Sequence, residues 1–321
     1  MSAEDQNFGH VHWIDVFKGL AILLVIWSHC RTGEVNYAAR FPWGVHMPAF
    51  FFIAGVTLNL ECSWRKFVAK RAATILWPLL IASIVYWWFM PDSRGQVLWD
   101  TLTFDGNGPL WFLSAYFIAI HLARLLAIFS KKRLVVIAFV LVGISLFFLA
   151  GFMSRFIREY RMYIAYRAAL AAFFVYYGWL LRNVVKNVRL YFFVLPAIGY
   201  FALVKLLKSY FVFDLHYAVI PNAIVYLSLA FCGISLLLFI SRSVAETTGG
   251  GLAWIGRNSL CAMIVHWLAC YYCRPLVSGL CLPPLSSHLA FFALVLPWTI
   301  GGTMLICRYL PWLLKFNTKG R

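Results

Sequence analysis

The sequence has few charged residues, and acidic residues are the scarcest. Asp, Glu, Lys and Arg together make up 12% of the 321 residues, and only 11 residues are Asp or Glu. Soluble domains carry about 25% charged residues, so this scarcity excludes an ordinary cytosolic protein. The 63% of hydrophobic residues excludes a disordered or collagen-like chain, since neither contains so much apolar surface.

The scarcity of acidic residues leaves most of the 28 Lys and Arg unbalanced, and the net charge is +17. A basic excess is typical of nucleic-acid-binding proteins, but the cytoplasmic loops of membrane proteins also collect Lys and Arg. The mean hydropathy of +0.80 favours the second explanation. We therefore expect a polytopic protein that lies in the lipid bilayer and binds no nucleic acid.

Several chemical motifs are also lacking. The eight cysteines are scattered, and Cys270 and Cys273 form a C-x-x-C without a second pair or a suitably spaced histidine. We therefore expect no metal site and no redox centre. The first residues include Glu4 and Asp5 instead of a basic region, so we expect no cleavable signal peptide. No G-x-S-x-G and no P-loop occurs, which argues against an α/β-hydrolase and a P-loop NTPase.

Long apolar stretches dominate instead, and about ten of them are long enough to cross a bilayer as helices. We predict an all-α integral membrane protein built as a bundle of about ten transmembrane helices. The two longest connections, 91–108 and 241–255, are interpreted as polar loops. The predicted spans are 14–30, 45–61, 72–90, 109–129, 134–153, 162–181, 190–206, 217–240, 256–274 and 288–310.

The distribution of Lys and Arg among the connections predicts the orientation. With ten spans, the connections on the side of the two termini carry the larger share of these residues. Cytoplasmic loops of membrane proteins show this bias, so we predict that both termini are cytoplasmic.

The first predicted span contains three ionisable residues on one stripe of the helix. Lys18 and His29 are eleven residues apart, which places them within about 20° around the helix and about 16 Å apart along it. Asp15 lies on the same stripe and can pair with Lys18. Ionisable groups inside a span are costly, which indicates a functional role. The alternative is that Asp15 and Lys18 are interfacial anchors and that His29 merely ends the span.

Further polar residues occur in later spans. His46 opens the second span at the same predicted level as His29, and Gly55 in that span allows close approach of a neighbouring helix. Trp111 is either a residue of the interfacial aromatic belt or a platform for a sugar. The sixth span contains Arg167, and the ninth carries His266. His121, in contrast, is expected to be a core histidine that bonds a helix carbonyl.

Histidine suits removal of a proton from a hydroxyl, because imidazole titrates near neutral pH. At the opposite end, Lys66, Lys70 and Arg71 suit the phosphates of a large anionic donor. The alternative for this basic cluster is an ordinary positively charged loop. Together the two groups suggest a reaction across the membrane, with a donor from the cytoplasm and an acceptor from outside.

Five runs in order resemble the membrane-bound acyltransferase family 3, and most closely its branch of fucose 4-O-acetylase-like enzymes. The similarity extends over about residues 13–270. The runs are W-I-D-x-x-K-G-L-A-I-x-x-V-x-x-x-H at 13–29, H-M-P-x-F-F-F-x-x-G at 46–55, P-L-W-F-L at 109–113, Phe173-Phe174 with Gly178 and Arg182, and I-G-R-N-S-L at 255–260 with His266.

The resemblance implies transfer of an acyl group, usually acetyl, from acetyl-CoA to a hydroxyl of an envelope carbohydrate. Such acceptors include O-antigen, exopolysaccharide and lipid-linked glycans, and acetyl-CoA is a co-substrate, not a tightly bound cofactor. The resemblance also implies a single acyltransferase domain over 1–321, with short cytoplasmic tails at about 1–12 and 312–321. The implied location is the bacterial cytoplasmic (inner) membrane.

The resemblance assigns the family's essential histidine to His29 and its basic partner to Lys18. The family's R-x-x-R element after the second helix is not matched, since the order here is Arg65-Lys66 and then Lys70-Arg71. His29 either removes the proton of the acceptor hydroxyl or first takes the acetyl group itself. The predicted site comprises His29, His46 and Asp15 for catalysis, Lys18, Lys66, Lys70 and Arg71 for the coenzyme, and Trp111, Arg167, Asn258 and His266 for the acceptor.

Two alternatives to this function stay open. One is a glycan transporter or exporter, although the fifth, eighth and tenth spans contain little of the polar lining that a translocation path needs. The other is transfer of succinyl or another acyl group in place of acetyl. The sequence identifies neither the acceptor sugar nor the oligomeric state.

Overall fold

The described part of the chain is almost wholly helical, which confirms the predicted all-α class. Within it, the one extended pairing is an isolated bridge between Asp214 and Val219. A computed structural model gives the structure of residues 12–31, 42–159, 162–207, 213–245 and 250–314. The helices are α1 His12–His29, α2 His46–Val56, α3 Trp64–Arg71, α4 Trp77–Phe89, α5 Arg94–Leu102, α6 Trp111–Phe129, α7 Arg133–Glu159, α8 Tyr163–Asn187, α9 Val194–Leu207, α10 Ala223–Val244, α11 Gly250–Arg257, α12 Ser259–Ser278 and α13 Pro284–Tyr309.

Eight helical segments among the described residues are long and apolar enough to cross a membrane, which supports a multi-pass membrane protein. Some of these segments join two neighbouring helices. They are Trp64–Phe89, Gly108–Phe129, Arg133–Met153, Tyr163–Asn187, Leu190–Leu207, Ala223–Val244, Ser259–Ser278 and Pro284–Tyr309.

The first two of the ten predicted spans are not among these eight. Helix α1 has 18 residues, but Asp15, Lys18 and a histidine at each end lower its mean hydropathy. Helix α2 has only 11 residues, so it is about 16 Å long, whereas the hydrocarbon core is about 30 Å thick. Both helices are nevertheless embedded in the bundle, since most of their residues are buried.

The segments interpreted as loops contain helices. Helix α5 lies within 91–108, and α11 lies largely within 241–255. The basic cluster after α2 is also helical, because α3 continues through a π-helical turn at Ala72–Leu76 into α4. The predicted span 72–90 is therefore the second part of a longer helical segment.

Helix α1 is the central element of the bundle. It contacts α2, α10, α11, α12 and α13. Its crossing with α11 is close, because a Cβ on Gly256 would lie 1.8 Å from the carbonyl oxygen of Asp15. Helices α2 and α8 cross as closely, since a Cβ on Gly55 would lie 1.9 Å from the carbonyl oxygen of Val175. The close approach predicted at Gly55 is confirmed, and glycine contacts hold α1 and α2 at fixed positions in the bundle.

Candidate active site

His29 lies at the end of α1, where two cavities meet. One has a volume of about 280 Å³ and the other of about 590 Å³. His29, Met47 and Trp111 line both cavities. We call the smaller one the basic cavity, after Lys18, Arg71 and Arg257 in its lining. The larger one, lined by Asp100, Asn107, Asp214 and His216, is called the polar cavity.

The basic cavity follows one face of α1. Lys18, Ile22, Val25 and His29 line it, and their spacing of three or four residues places them on one stripe of the helix. Lys18 therefore lies at the far end of the cavity, about 16 Å from His29 along the axis, and Arg257 lies near it, 3.6 Å from Asp15. Arg71 also lines this cavity. The wall between the two ends is largely apolar and includes Met47, Phe50, Ile53, Ala54, Phe112, Leu113, Leu260 and Met263.

The three histidines predicted for the site lie close together. The ring centroids of His29 and His266 are 5.3 Å apart, and His29 and His46 both line the polar cavity. His46 Nδ1 lies 2.6 Å from the carbonyl oxygen of Pro42, to which it donates, so its Nε2 keeps a lone pair that can accept a proton. His266 Nδ1 lies 3.2 Å from the carbonyl oxygen of Ala262, and its buried Nε2 has no hydrogen-bond partner among the described residues.

Acidic and aromatic side chains surround the polar cavity. Asp100 accepts hydrogen bonds from Gln96 (2.5 Å) and Asn107 (3.4 Å), and burial raises the pKa of Asp100 above its usual value. Trp267 meets the ring of His29 edge-on, with centroids 5.3 Å apart. Carboxylates, an amide and flat aromatic rings in one cavity are groups that can hold a ligand rich in hydroxyls.

A turn rich in glycine positions the wall of the polar cavity. Gly106 and Gly108 adopt φ values of +80° and +53°, a region that favours glycine. A Cβ on Gly108 would lie 2.4 Å from the ring of Trp267, so the turn packs directly on that ring. Pro109 then starts the helical segment that carries Trp111, where its missing N–H costs little.

Asp105 in this turn is bound by a buried arginine. Arg167 Nη1 donates to Asp105 Oδ1 at 2.7 Å, and Tyr163 donates to Asp105 Oδ2 at 2.7 Å. His216 Nε2 lies 3.5 Å from the same carboxylate, and the His216 ring stacks on Trp111 with centroids 5.2 Å apart. Burial alone would raise the pKa of Asp105, but His216, Tyr163 and the charge of Arg167 outweigh it and hold the pKa well below its usual value.

A profile of an acyltransferase domain matches residues 11–308, which include both cavities. The chain belongs to this acyltransferase family. With its apolar helices, it is a membrane acyltransferase, as the sequence resemblance indicated. Comparisons with curated proteins and with solved structures give no match.

The predicted donor residues of the acyltransferase fall into two groups. Lys18 and Arg71 line the basic cavity, whereas Lys66 and Lys70 are exposed and lie outside its lining. The structure adds Arg257, which sequence reasoning missed, because α11 brings it beside α1 only in the folded bundle.

Asp15, which the sequence predicted as a catalytic residue and as a partner of Lys18, lies far from His29. It precedes His29 by 14 residues, or about 21 Å along α1, and it lies outside the lining of both cavities. Its Oδ2 is 3.6 Å from Arg257 Nη1, so this carboxylate pairs with a cation of the basic cavity.

The four predicted acceptor residues occupy different places in the acyltransferase. Trp111 lines both cavities, and His266 lies against His29. Arg167 is fully buried behind Trp111, with its guanidinium 5.5 Å from the centre of that ring. Asn258 donates to the carbonyl of Trp254 at 2.9 Å and lies near the basic cavity, whose lining includes its neighbours on both sides.

Asp100, Asn107, Asp214 and His216 are polar residues of this cavity that sequence reasoning missed. They lie in connections between predicted spans, where polar residues are ordinary. The scarcity of Asp in the chain was the one available signal. His121, in contrast, is the core histidine that the sequence predicted, since its Nδ1 lies 2.6 Å from the carbonyl oxygen of Phe117.

Proposed function

We propose that this acyltransferase transfers an acetyl group from acetyl-CoA to a hydroxyl of an envelope carbohydrate. The observation that carries the proposal is that His29 lines both the basic cavity and the polar cavity. An acyltransferase needs one group in reach of a thioester and of a hydroxyl at the same time. His29 holds the position between two cavities of different chemical character, each suited to one substrate.

The basic cavity suits the donor. Lys18, Arg71 and Arg257 supply positive charge for the phosphates of coenzyme A at the end remote from His29. The apolar stretch between them suits the slender arm that carries the thioester. Asp15 beside Arg257 holds that guanidinium in place, which gives Asp15 a positioning role, not a catalytic one. Lys66 and Lys70 are exposed and contribute at most to the long-range attraction of the anionic donor.

The polar cavity suits a carbohydrate. Asp100, Asn107 and Asp214 can bond sugar hydroxyls, and the rings of Trp111 and Trp267 can face the apolar sides of a sugar. Its volume of about 590 Å³ is within the usual range of small-ligand sites. Arg167 acts through Asp105, which fixes the turn in front of Trp111.

The chemistry requires one proton acceptor. His29 removes the proton of the acceptor hydroxyl while its oxygen attacks the thioester carbonyl carbon. The carbon–sulfur bond breaks, and the sulfur of coenzyme A takes the proton from the imidazolium, so the products are an ester and the free thiol. In a two-step variant the imidazole first takes the acetyl group and then passes it to the hydroxyl. Both variants require His29 to contact both substrates.

The proposal includes an orientation. Acetyl-CoA is a cytoplasmic metabolite, so the end of the bundle with Lys18, Arg71 and Arg257 faces the cytoplasm, as do both termini. Helices α1 and α2 then lie within the membrane beside the eight long segments. The matching location is the cytoplasmic (inner) membrane of a bacterium, with the polar cavity on the outer side, where envelope carbohydrates are modified.

The proposal is tested with the purified full chain in proteoliposomes. Radiolabelled acetyl-CoA is expected to bind and to transfer its label to envelope glycan isolated from cells that lack this protein. Succinyl-CoA in a parallel reaction tests for a different acyl group. A protein that moves glycan across the membrane but neither binds nor consumes acetyl-CoA would be an exporter, and that result would refute the proposal.

A further inference from the structure

A third cavity adjoins the site beside Trp267, and we call it the side groove. Its volume is about 260 Å³. Met90 and Trp267 line both the side groove and the polar cavity, so the two spaces share a wall. Because Trp267 also contacts His29, the groove lies beside the candidate site. The residues that line it are Met90, Trp267, Cys270, Tyr271, Arg274 and Pro275.

The surroundings of the side groove are apolar and exposed. Phe89, Tyr272 and Leu276 flank it on α4 and α12, and they are 49%, 53% and 64% exposed. Both helices belong to segments that are apolar enough to cross a membrane, so this surface is suited to contact with lipid. Tyr271 donates to Asp92 at 2.7 Å and Tyr272 to the carbonyl of Phe89 at 2.5 Å, which ties α12 to the end of α4.

Arg274 is the charged residue in the lining of the side groove. It is exposed, and among the described residues no hydrogen bond or ion pair engages its guanidinium. A guanidinium matches the oxygens of a phosphate better than an ammonium does, because it can donate two parallel hydrogen bonds. An apolar groove with one available arginine thus has the chemistry of a site for a lipid phosphate.

We propose that the side groove binds a lipid-linked acceptor by its phosphate. The phosphate lies on Arg274, the lipid chain lies against the apolar surroundings, and the sugar reaches the polar cavity past Met90 and Trp267. The polar cavity carries Asp100 and Asp214 as well as Arg31, whereas Arg274 is the one charged residue among the described residues that line the side groove. The inference rests on the proposed function, since it identifies the acceptor of that same site as a lipid phosphate.

The spacing along α12 limits which sugar is modified. Arg274 follows Trp267 by seven residues, which is two helical turns or about 10 Å along the axis. Trp267 contacts His29, so the reacting hydroxyl and the phosphate are separated by a short distance. The modified sugar is therefore one close to the phosphate, not one at the far end of a long glycan.

The experiment measures binding of radiolabelled dodecyl phosphate to the purified full chain in a neutral detergent. One molecule is expected to bind per chain, and equal concentrations of inorganic phosphate or dodecanol should not displace it. Arg274→Gln is expected to weaken binding about tenfold or more, because the charge-assisted hydrogen bonds of the guanidinium are lost, and Arg274→Lys to restore part of the binding. Lys205→Gln, at an exposed lysine near the end of α9, is the matched control and should bind as the wild type does.

Two further measurements separate this inference from the proposed function. His29→Ala should bind dodecyl phosphate normally, so binding is scored independently of acetyl transfer. Excess acetyl-CoA should not displace the probe, because the donor occupies the basic cavity. Equal binding by the wild type and Arg274→Gln, or displacement by acetyl-CoA, would overturn the inference whatever the outcome of the transfer assay.

Discussion

Lys18 and His29 line the same cavity from a single face of α1, about 16 Å apart along the helix axis. One residue of this pair supplies charge and the other supplies a proton acceptor. The helix between them is buried and contacts five neighbouring helices, which fixes their separation. The proposed reaction therefore depends on a donor long enough to bind at one end and react at the other.

Lys18→Met removes one of the three cations of the basic cavity. We expect the KM for acetyl-CoA to rise about tenfold with little change in kcat, because a phosphate contact is lost and the reacting groups are untouched. Steady-state kinetics in detergent measures both constants. Lys66→Met, at an exposed residue outside the cavity, is the control, and an equal effect of the two substitutions would argue against the assignment of Lys18.

Trp111→Ala removes the ring that lies between the two cavities. We expect the KM for the glycan acceptor to rise about five- to tenfold, because a stacking surface is lost. Trp111→Phe should retain part of the stacking surface and show a smaller rise in KM. Trp298→Ala, at a residue that is 66% exposed, should leave the KM unchanged. Kinetics with glycan from cells that lack the protein is the measurement. A Trp111→Ala enzyme with unchanged acceptor KM would show that the ring serves only packing.

Asp105→Asn breaks the buried pair with Arg167. At neutral pH we expect a loss of roughly 3 kcal/mol of stability, since the arginine is left buried without its counter-charge. The pKa of Asp105 is lower in the folded protein than its unfolded value of about 3.9, so the carboxylate stabilises the fold above that pH. Its contribution disappears as the pH falls through the lower, folded value.

Thermal unfolding in detergent at several pH values checks this prediction. The difference between the wild type and Asp105→Asn should be constant from pH 7 to about pH 5 and should shrink below about pH 4. Glu61→Gln, at an exposed carboxylate, should differ little from the wild type at any pH. A difference that grows as the pH falls would contradict the pairing.

Gly55→Leu tests the close crossing of α2 and α8. A side chain at this position meets the carbonyl of Val175, so the helices must separate, at a cost of about 1–3 kcal/mol or more. We expect a lower melting temperature and a lower yield of monodisperse protein. Gly301→Leu is the control, because a Cβ there meets nothing within 4 Å. Equal stability of the two variants would mean that the α2–α8 contact is not needed.

The sequence predicts the features that arise within one helix. The stripe of Lys18 and His29 follows from 3.6 residues per turn, and the structure places both residues on one cavity. The short α2 was harder to predict, because an apolar run does not show whether all of it is helical. The basic cluster after α2 shows the same limit. Because this cluster is helical, Arg71 lines the basic cavity, whereas Lys66 and Lys70 are exposed to the outside of the bundle.

Apart from the close approach at Gly55, the features that arise between helices were not predicted. Arg257 reaches the basic cavity only because Gly256 lets α11 pack closely on α1. Asp105 and Arg167 are 62 residues apart, and no local spacing relates them. Asp214 and His216 likewise join the polar cavity through tertiary packing. A single sequence carries helix periodicity but not the pairing of distant segments, which is why the acceptor side of the site was largely missed.

The measurement that tests the central claim most directly is the acetyl content of the surface carbohydrate in cells that express His29→Ala. Mass spectrometry compares these cells with a deletion strain and with cells that express the wild type or His121→Ala. His121 is the matched control, since its ring bonds a helix carbonyl and lies outside the lining of both cavities. The account predicts wild-type acetylation with His121→Ala and none with His29→Ala at equal protein levels. Wild-type acetylation with His29→Ala would contradict it.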